Sequence, residues 1–299
     1  MKVLIAYASE QGAIIDAIVD TCRRIKLGVD LYEVSHGETA LESGLYERLS
    51  SSSSVLLVIS QERFSEGWVV FSVGYMLGRG DRGLLYIPFM EREIPEYFKK
   101  LSIASSQKEL EYYYREEKRI WNQRIAVERA KTKLAAKGIS FTEPAFIKCV
   151  ERGEKTAVRC FLAAGFSPNV RNEKGVPLLS LAVRNRKKEL IPMLLSAGAD
   201  LNIISPDNGN SPLMDAAAIG ERDIVERFIE SGANLNVQSK NGQTALILAV
   251  GKGSYDIAEK LIRSGADISI KDNLGMSAIQ YARLFKRNDI IKVIEHCVN

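Results

Sequence analysis

The sequence predicts an α/β domain at the N-terminus followed by an all-α array of repeats at the C-terminus. Three observations support this division. Apolar segments alternate with helical segments over the first hundred residues, residues 109–137 contain neither Gly nor Pro, and glycines recur at a fixed period from Gly165 onwards. The predicted domain limits are 1–104 for the α/β domain, 105–138 for a connecting helix, and 139–299 for the repeats.

The composition is that of an ordinary globular protein. Of the 299 residues, 46% are hydrophobic and 26% are charged, and the net charge of +4 is small for this length. Nucleic acid or an acidic membrane usually requires positive charge gathered on one face, so neither is an expected partner. No apolar run reaches the roughly 18 residues of a membrane-spanning helix, and we expect a soluble, cytoplasmic protein.

Cysteine and histidine give no sign of a metal site. The chain has two histidines and four scattered cysteines without a CxxC pair, so no metal is predicted. Dispersed cysteines are typical of a reducing compartment, where they act as small buried apolar residues. The four are Cys22, Cys149, Cys160 and Cys297.

The C-terminal half repeats itself every 33 or 34 residues. Two independent glycine series share this period, which indicates a solenoid of repeated units. The first series has steps of 33, 34 and 33 residues and consists of Gly165, Gly198, Gly232 and Gly265. The second has steps of 34, 33 and 33 residues and consists of Gly175, Gly209, Gly242 and Gly275.

The segments around these glycines resemble the ankyrin repeat. Residues 211–217 and 244–249 are similar to its first-helix motif, Thr-Pro-Leu-His-x-Ala, and residues 198–202 to its Gly-Ala-Asp-x-Asn turn. The hydroxyl residues are placed to cap helix starts, and the first glycine series allows the left-handed turn that ends a helix. Five units are predicted, of which the first and last are degenerate caps. The residues predicted to cap the first helices are Ser211, Thr244 and Ser277.

One position departs from the family pattern in four of the five units. The family usually has His there, so the side-chain bond that tightens the first-helix turn is expected to be lost. The residues at this position are Ser180, Met214, Ile247 and Gln280.

The resemblance implies that the fingers between repeats and the first helices form a concave face that binds a protein partner. Polar finger residues are therefore candidates for a binding surface, although each is also explained as a solvated loop tip. The candidates are Arg171, Asn172, Lys174, Asp207, Asn208, Gln238, Lys240, Lys271 and Asp272.

The N-terminal segment alternates between continuous apolar strands and helices. This order predicts a parallel sheet covered on both faces. Ligands of such sheets bind at the carboxyl ends of the strands, where Ser9, Ser35 and Ser60 are candidate nucleotide-binding residues. Strands are predicted over 2–8, 29–34, 55–59 and 84–88, and helices over 14–25, 45–49 and 68–77.

Residues 55–88 resemble the middle of a Toll/interleukin-1 receptor (TIR) domain, and nucleoside deoxyribosyltransferase-like proteins are similar there. The resemblance rests on the strand 55–60, the segment 64–68 and the helix after it. It implies a flavodoxin-like parallel sheet and an acidic catalytic residue four positions after the tryptophan, Trp68. Ser72 occupies that position, and a hydroxyl cannot supply the negative charge that stabilises a cationic sugar.

The remaining catalytic candidates are the acids Glu33, Glu38 and Glu66. Glu33 and Glu38 are each also explained as an ordinary solvated loop carboxylate, and Glu66 lies across the helix start, where it is a weak substitute for the missing acid. Trp68 and Ser72 are nucleotide-binding candidates, and Ser72 is alternatively a small residue packed under a helix. No cofactor is predicted, with NAD or a nucleotide as the alternative ligand.

The preferred interpretation is a signalling scaffold or adaptor. The ankyrin array selects a protein partner, and the TIR-like domain without its acid contacts copies of itself or other proteins. The alternative is an enzyme, an NAD glycohydrolase or a nucleoside N-glycosyl transferase that the repeats recruit. Non-catalytic nucleotide sensing is a third interpretation, and the sequence leaves open whether the protein is an enzyme.

Overall fold

The computed structural model describes residues 1–8, 11–34, 44–59, 66–79, 83–87, 98 and 100–298. The chain divides into two compact units, Met1–Gln123 and Arg124–Asn299. Each unit has its own apolar interior.

The first unit is built on a small parallel sheet, as the sequence predicted. Its strand order is β2-β1-β3-β4-β5, and all neighbouring strands are parallel. The fifth strand was not predicted, because its sequence, Ser-Ile-Ala, lacks the continuous apolar run that marks β4. The strands are β1 Lys2–Ala8, β2 Gly28–Val34, β3 Ser54–Val58, β4 Leu84–Tyr86 and β5 Ser102–Ala104, and the helices between them are α1 Gly12–Arg24, α2 Leu45–Ser51 and α3 Gly67–Arg79.

Helices cover both faces of this sheet because successive side chains of a strand point to opposite sides. Leu4 and Ala6 of β1 lie in one apolar cluster with residues of α2 and α3. Val3 and Ile5 lie in another cluster with residues of α1. All four β1 side chains are fully buried, which explains why the strand is a continuous apolar run in the sequence.

A long helix, α4 Gln107–Ala135, follows the sheet where the sequence lacks Gly and Pro. Its residues Leu110 and Tyr114 are fully buried in the first unit. The Lys118 ammonium donates to the carbonyls of Ile25 (2.6 Å) and Lys26 (3.0 Å) at the end of α1. Carbonyls at a helix end have no partner within the helix, and a cation there is favourable.

The second unit consists of five helix pairs that share one apolar interior, as predicted for an ankyrin array. Neighbouring first helices pack against each other, so each pair covers the apolar face of the next. The pairs are α5 Glu143–Arg152 with α6 Lys155–Ala163, α7 Leu178–Arg184 with a 3-10 turn Lys188–Leu190 and α8 Ile191–Ser196, α9 Pro212–Ile219 with α10 Arg222–Glu230, α11 Ala245–Lys252 with α12 Tyr255–Arg263, and α13 Ala278–Leu284 with α14 Asn288–Val298.

The first helices are capped largely as the sequence predicted. The hydroxyl oxygens of Ser211 and Thr244 each accept a backbone N–H three residues later, at 3.3 Å. In the last repeat the bond expected to be lost is replaced, because Gln280 Oε1 accepts the backbone N–H of Ser277 at 2.7 Å. That expectation was wrong for Gln280, since an amide oxygen at this position reaches back to the helix start as in a capping box.

A ladder of asparagine side chains links successive repeats. Each carboxamide oxygen accepts a backbone N–H of the following repeat at 2.8 Å. The bonds satisfy backbone groups outside any helix and fix the offset between neighbouring units. The acceptors are Asn169, Asn202 and Asn236, and the donors are Asp200, Asn234 and Asp267 respectively.

Gly242 and Gly275 lie in fingers, the loops that precede the first helices α11 and α13. Both have a left-handed backbone, but a larger residue would meet a steric clash at only one of them. Gly242 and Gly275 have nearly the same positive φ, +74° and +75°. A Cβ at Gly242 would lie 2.8 Å from the backbone nitrogen of Asn273, whereas a Cβ at Gly275 would meet nothing within 4 Å. The left-handed conformation is needed at both positions, and the close approach of the next finger only at Gly242.

We therefore expect Gly242→Ala to destabilise the protein more than Gly275→Ala. The Gly275 variant bears only the strain of a left-handed alanine, roughly 1–2 kcal/mol. The Gly242 variant also displaces the neighbouring finger and should lose at least about 1 kcal/mol more. Urea unfolding of both variants measures the two free energies, and equal losses would contradict the proposed contact between fingers.

Candidate protein-interaction surface

Four fingers precede the first helices α7, α9, α11 and α13 and lie in a row. They comprise residues 171–175, 204–209, 238–242 and 271–275, and we call the surface formed by these fingers and first helices the finger face. Direct backbone bonds connect the second finger to the third and the third to the fourth: Lys240 N donates to Asn208 O, and Asn273 N to Asn241 O, both at 3.0 Å. Hydrogen bonds therefore link the loops of the finger face to one another.

In three of the fingers, a polar side chain stabilises the turn by accepting hydrogen bonds from backbone N–H groups of the same finger. Asn172 Oδ1 accepts the backbone N–H groups two and four residues later at 3.1 and 2.9 Å. Asp272 Oδ1 accepts the equivalent pair at 3.0 Å each, and Ser239 Oγ at 3.2 and 3.1 Å. Side chains of this kind stabilise turns through local bonds to the backbone, so Asn172 and Asp272 hold the shape of the fingers.

Asp272 differs from the solvent-facing surface residue that the sequence suggested. It is 7% exposed, and its second carboxylate oxygen accepts the Tyr281 hydroxyl at 2.6 Å. Burial raises the pKa of the Asp272 carboxyl, but the bonds from Tyr281 and from the two backbone N–H groups outweigh burial and leave that pKa below its usual value. Asp272 is a charged acceptor inside the last finger.

Three other predicted surface residues connect one finger to the next. Arg171 Nη1 donates to the carbonyls of Gly175 (2.9 Å) and Ile204 (3.0 Å). Gln238 Nε2 repeats this arrangement between the third and fourth fingers, where it donates to the carbonyls of Gly242 (2.9 Å) and Lys271 (3.2 Å). The Lys240 ammonium donates to the carbonyl of Pro206. The residues predicted to bind a partner thus also build the surface.

Arg184 at the end of α7 organises a charged network that the sequence did not predict. Its Nε donates to the side chain of Asp215 at 2.8 Å, its Nη1 to Asp207 at 2.6 Å, and its Nη2 to Asn208 at 3.2 Å. The Asp215 side chain is 4% exposed and also accepts Asn210 Nδ2 at 2.9 Å. The bond from Arg184 is the main cause that lowers the pKa of Asp207.

The predicted residues Lys174 and Lys271 have exposed side chains. In the first unit, Trp68 is 3% exposed and donates its Nε1–H to Glu66 Oε2 at 2.6 Å. Ser72 is fully buried, and its hydroxyl donates to the carbonyl of Trp68 at 2.7 Å within α3. This placement matches the interpretation of Ser72 as a packed small residue.

Glu33 lies near the carboxyl end of β2, opposite Tyr7 of β1. Its Oε2 accepts the Tyr7 hydroxyl at 3.4 Å, and burial followed by the Glu33 charge raises the pKa of Tyr7. The other predicted site residues, Ser9, Ser35, Glu38 and Ser60, lie outside the described residues.

Two further features are absent from the described part of the chain. No group of three or more His, Cys, Asp or Glu residues is arranged there to hold a metal ion, and no helix there combines the length and apolar character needed to span a membrane. Burial raises the pKa of Cys22 to about 11, so this thiol stays protonated at neutral pH and packs as a small apolar group.

Comparison with known proteins supports the assignment of the repeats. The family model for ankyrin repeats (3 copies) matches residues 146–239 and 213–297. Because these residues make up just over half of the chain, the chain belongs to the ankyrin-repeat family. Ankyrin repeats generally bind protein partners, so the family supports a protein-interaction function for the second unit.

Individual relatives are similar over different lengths. A putative ankyrin repeat-containing protein of Treponema pallidum (strain Nichols) is 31% identical over 190 residues, which cover 64% of this chain and 64% of that protein. A B-cell lymphoma 3 protein homolog of Mus musculus is 35% identical over 69 residues, 23% of this chain and 15% of the relative. A glycerophosphocholine phosphodiesterase of Schizosaccharomyces pombe is 33% identical over 93 residues, 31% of this chain and 8% of the relative. The chain therefore spans less than two thirds of each relative.

We expect Arg184→Met to destabilise the second unit by about 2–4 kcal/mol, because it leaves the buried Asp215 carboxylate without its cation. Arg222→Met is the matched control: Arg222 is 57% exposed and pairs with Glu226 on α10, so its loss should change the free energy of unfolding by less than about 1 kcal/mol. Chemical unfolding of both variants gives the two values, and similar small losses would contradict a structural role for the Arg184 network.

Proposed function

We propose that this chain is an adaptor that binds a protein partner through its finger face. The observation that carries the proposal is the row of fingers beside the first helices, which hydrogen bonds link to one another. Exposed side chains such as Lys174, Lys271 and Leu274 project from fingers that internal bonds hold in place. A surface ordered before binding loses less conformational entropy when a partner docks. Family membership supports the same function.

For the first unit we propose contacts with copies of itself or with other proteins, in keeping with its resemblance to the TIR domain and its flavodoxin-like strand order. The state of Ser72 supports a role without chemistry. At the position where the resemblance implies a catalytic acid, this hydroxyl is buried and bonded to its own helix. We propose that both units act together in signalling in the cytoplasm.

The binding proposal is tested by affinity capture from cells of the source organism, with the full chain immobilised. The finger variant Lys174→Glu/Leu274→Asp should lose most of the proteins that the wild type retains, because it alters exposed finger tips only. The control variant Arg227→Glu/Ser231→Asp changes exposed positions in and after α10 and should retain them. Identical captures by the two variants would contradict binding through the finger face.

An enzymatic function is the second candidate, because Glu33 places a carboxylate near the carboxyl end of the sheet, beside the Tyr7 hydroxyl. The purified chain is incubated with NAD and with deoxynucleosides, and released base is measured by chromatography. The adaptor proposal expects no turnover above the buffer control. Turnover that disappears in Glu33→Gln or Glu38→Gln would contradict it, and ligand-dependent thermal stabilisation without released base would indicate nucleotide sensing instead.

A further inference from the structure

The outward side of the first helices changes character along the array. In α7, α9, α11 and α13, the fourth, seventh and eighth residues after the N-cap lie on the outward side of the helix or at the margin of the interior. In the second repeat these positions include Arg184 and Asn185. In the third repeat they include Asp215, which belongs to the Arg184 network. From the end of α9 onwards the positions are mostly apolar. They are occupied by Ala218, Ile219, Leu248, Gly251, Lys252, Tyr281, Leu284 and Phe285.

The apolar positions lie side by side because α9 packs on α11 and α11 packs on α13. Leu284 is 61% exposed and Phe285 is 45% exposed. The Phe285 ring stacks on the Tyr281 ring with centroids 5.9 Å apart. Leu274 of the neighbouring finger is 79% exposed. A group of large apolar side chains exposed together marks an interaction site more often than scattered single ones do.

Gly251 leaves one position of this apolar strip without a side chain. It lies inside α11, where glycine destabilises a helix relative to alanine. A Cβ at Gly251 would meet nothing within 4 Å, so no neighbour in the chain requires glycine there. This contrasts with Gly242, whose Cβ would clash with the next finger. The position between Ala218 and Leu284 therefore stays open at some loss of helix stability.

Positive charge borders the strip on both sides. Residues 237–253 contain no acid, and residues 270–287 contain one, Asp272, whose carboxylate is engaged inside its finger. The second helices and their turns carry the acids of these repeats, at Asp256, Glu259, Asp267, Asp289 and Glu295. The cations that border the strip are Lys240 and Lys271 on the fingers, and Lys252, Lys286 and Arg287 at the ends of α11 and α13.

We infer that the finger face of the last two repeats, together with the end of α9, binds an acidic polypeptide segment whose large apolar side chains enter the strip around Gly251. The inference rests on the proposed function and specifies the chemistry of the partner. Apolar side chains of the segment cover Leu248, Leu284 and Phe285, and its carboxylates meet the bordering lysines and arginines. Complementary charge of this kind selects the partner and speeds its association.

The test selects peptides from a random 16-residue library displayed on phage, with the full chain immobilised. Recovered peptides are synthesised with a fluorophore and titrated by fluorescence anisotropy. We expect them to carry net negative charge and at least two large apolar residues. We also expect their affinity to fall as salt is raised, because exposed charge pairs are screened.

Three variants test the binding site and its charge without changing a core residue. Gly251→Trp places a large side chain at the open position and should weaken binding at least roughly tenfold, which is about the loss expected when a central contact is blocked. Ser231→Trp places the same side chain at an exposed position after α10 and should leave the affinity within about twofold. Lys252→Glu/Lys271→Glu should weaken binding and reduce its salt dependence.

Several results would overturn the inference. These are the absence of any selected peptide, selected peptides that are neutral or basic, or equal binding by Gly251→Trp and Ser231→Trp. Tighter binding of a single-stranded oligothymidylate than of any peptide would also overturn it and would indicate a nucleic-acid surface. If captured cellular proteins still depend on the fingers in that case, the proposed function stands and only the partner's chemistry is wrong.

Discussion

The structure of the second unit depends on burial between neighbouring repeats. Each helix pair has apolar residues on the faces that meet the next pair, and a single pair leaves much of that surface in water. Stacking buries it, and the resulting interior runs from Leu134 to Ile294. Burial is not directional, so it does not by itself fix how one unit is offset from the next. The asparagine ladder supplies that direction, because each bond joins a side chain to one particular N–H of the following unit.

The finger face follows from this arrangement. Once the units are stacked at a fixed offset, the fingers come close enough for backbone bonds, and the polar side chains at their turns have structural partners. The residues predicted to bind a partner therefore also stabilise the fingers. The exception is the apolar strip of the last repeats, whose exposed residues and open glycine contribute little to folding. A surface that does not stabilise the chain is where binding explains the sequence better than folding does.

Periodic features of the sequence predicted the fold well. The two glycine series located the repeats, and the apolar runs located four of the strands, because both reflect local geometry that recurs. The edge strand β5 was missed because Ser102–Ala104 has neither the continuous apolar run nor the alternation of a strand signal. The Arg184 network was missed because its partners Asp207 and Asp215 lie 23 and 31 residues away, and charge pairing at that distance follows from the fold. Gly251 stands outside both glycine series, and that irregularity was the available signal for it.

The site was less predictable than the fold because exposure and bonding cannot be deduced from residue type. Asp272 and Lys271 are adjacent polar residues, yet one is engaged inside its finger and the other is exposed.

The central claim is that the repeats are stacked in the offset fixed by the asparagine ladder. Amide hydrogen exchange, resolved by residue with NMR, tests it most directly at Asp200, Asn234 and Asp267. The account predicts exchange at least about 100-fold slower than in an unstructured peptide at all three amides. Exchange at the unstructured rate would contradict the stacking on which the finger face depends.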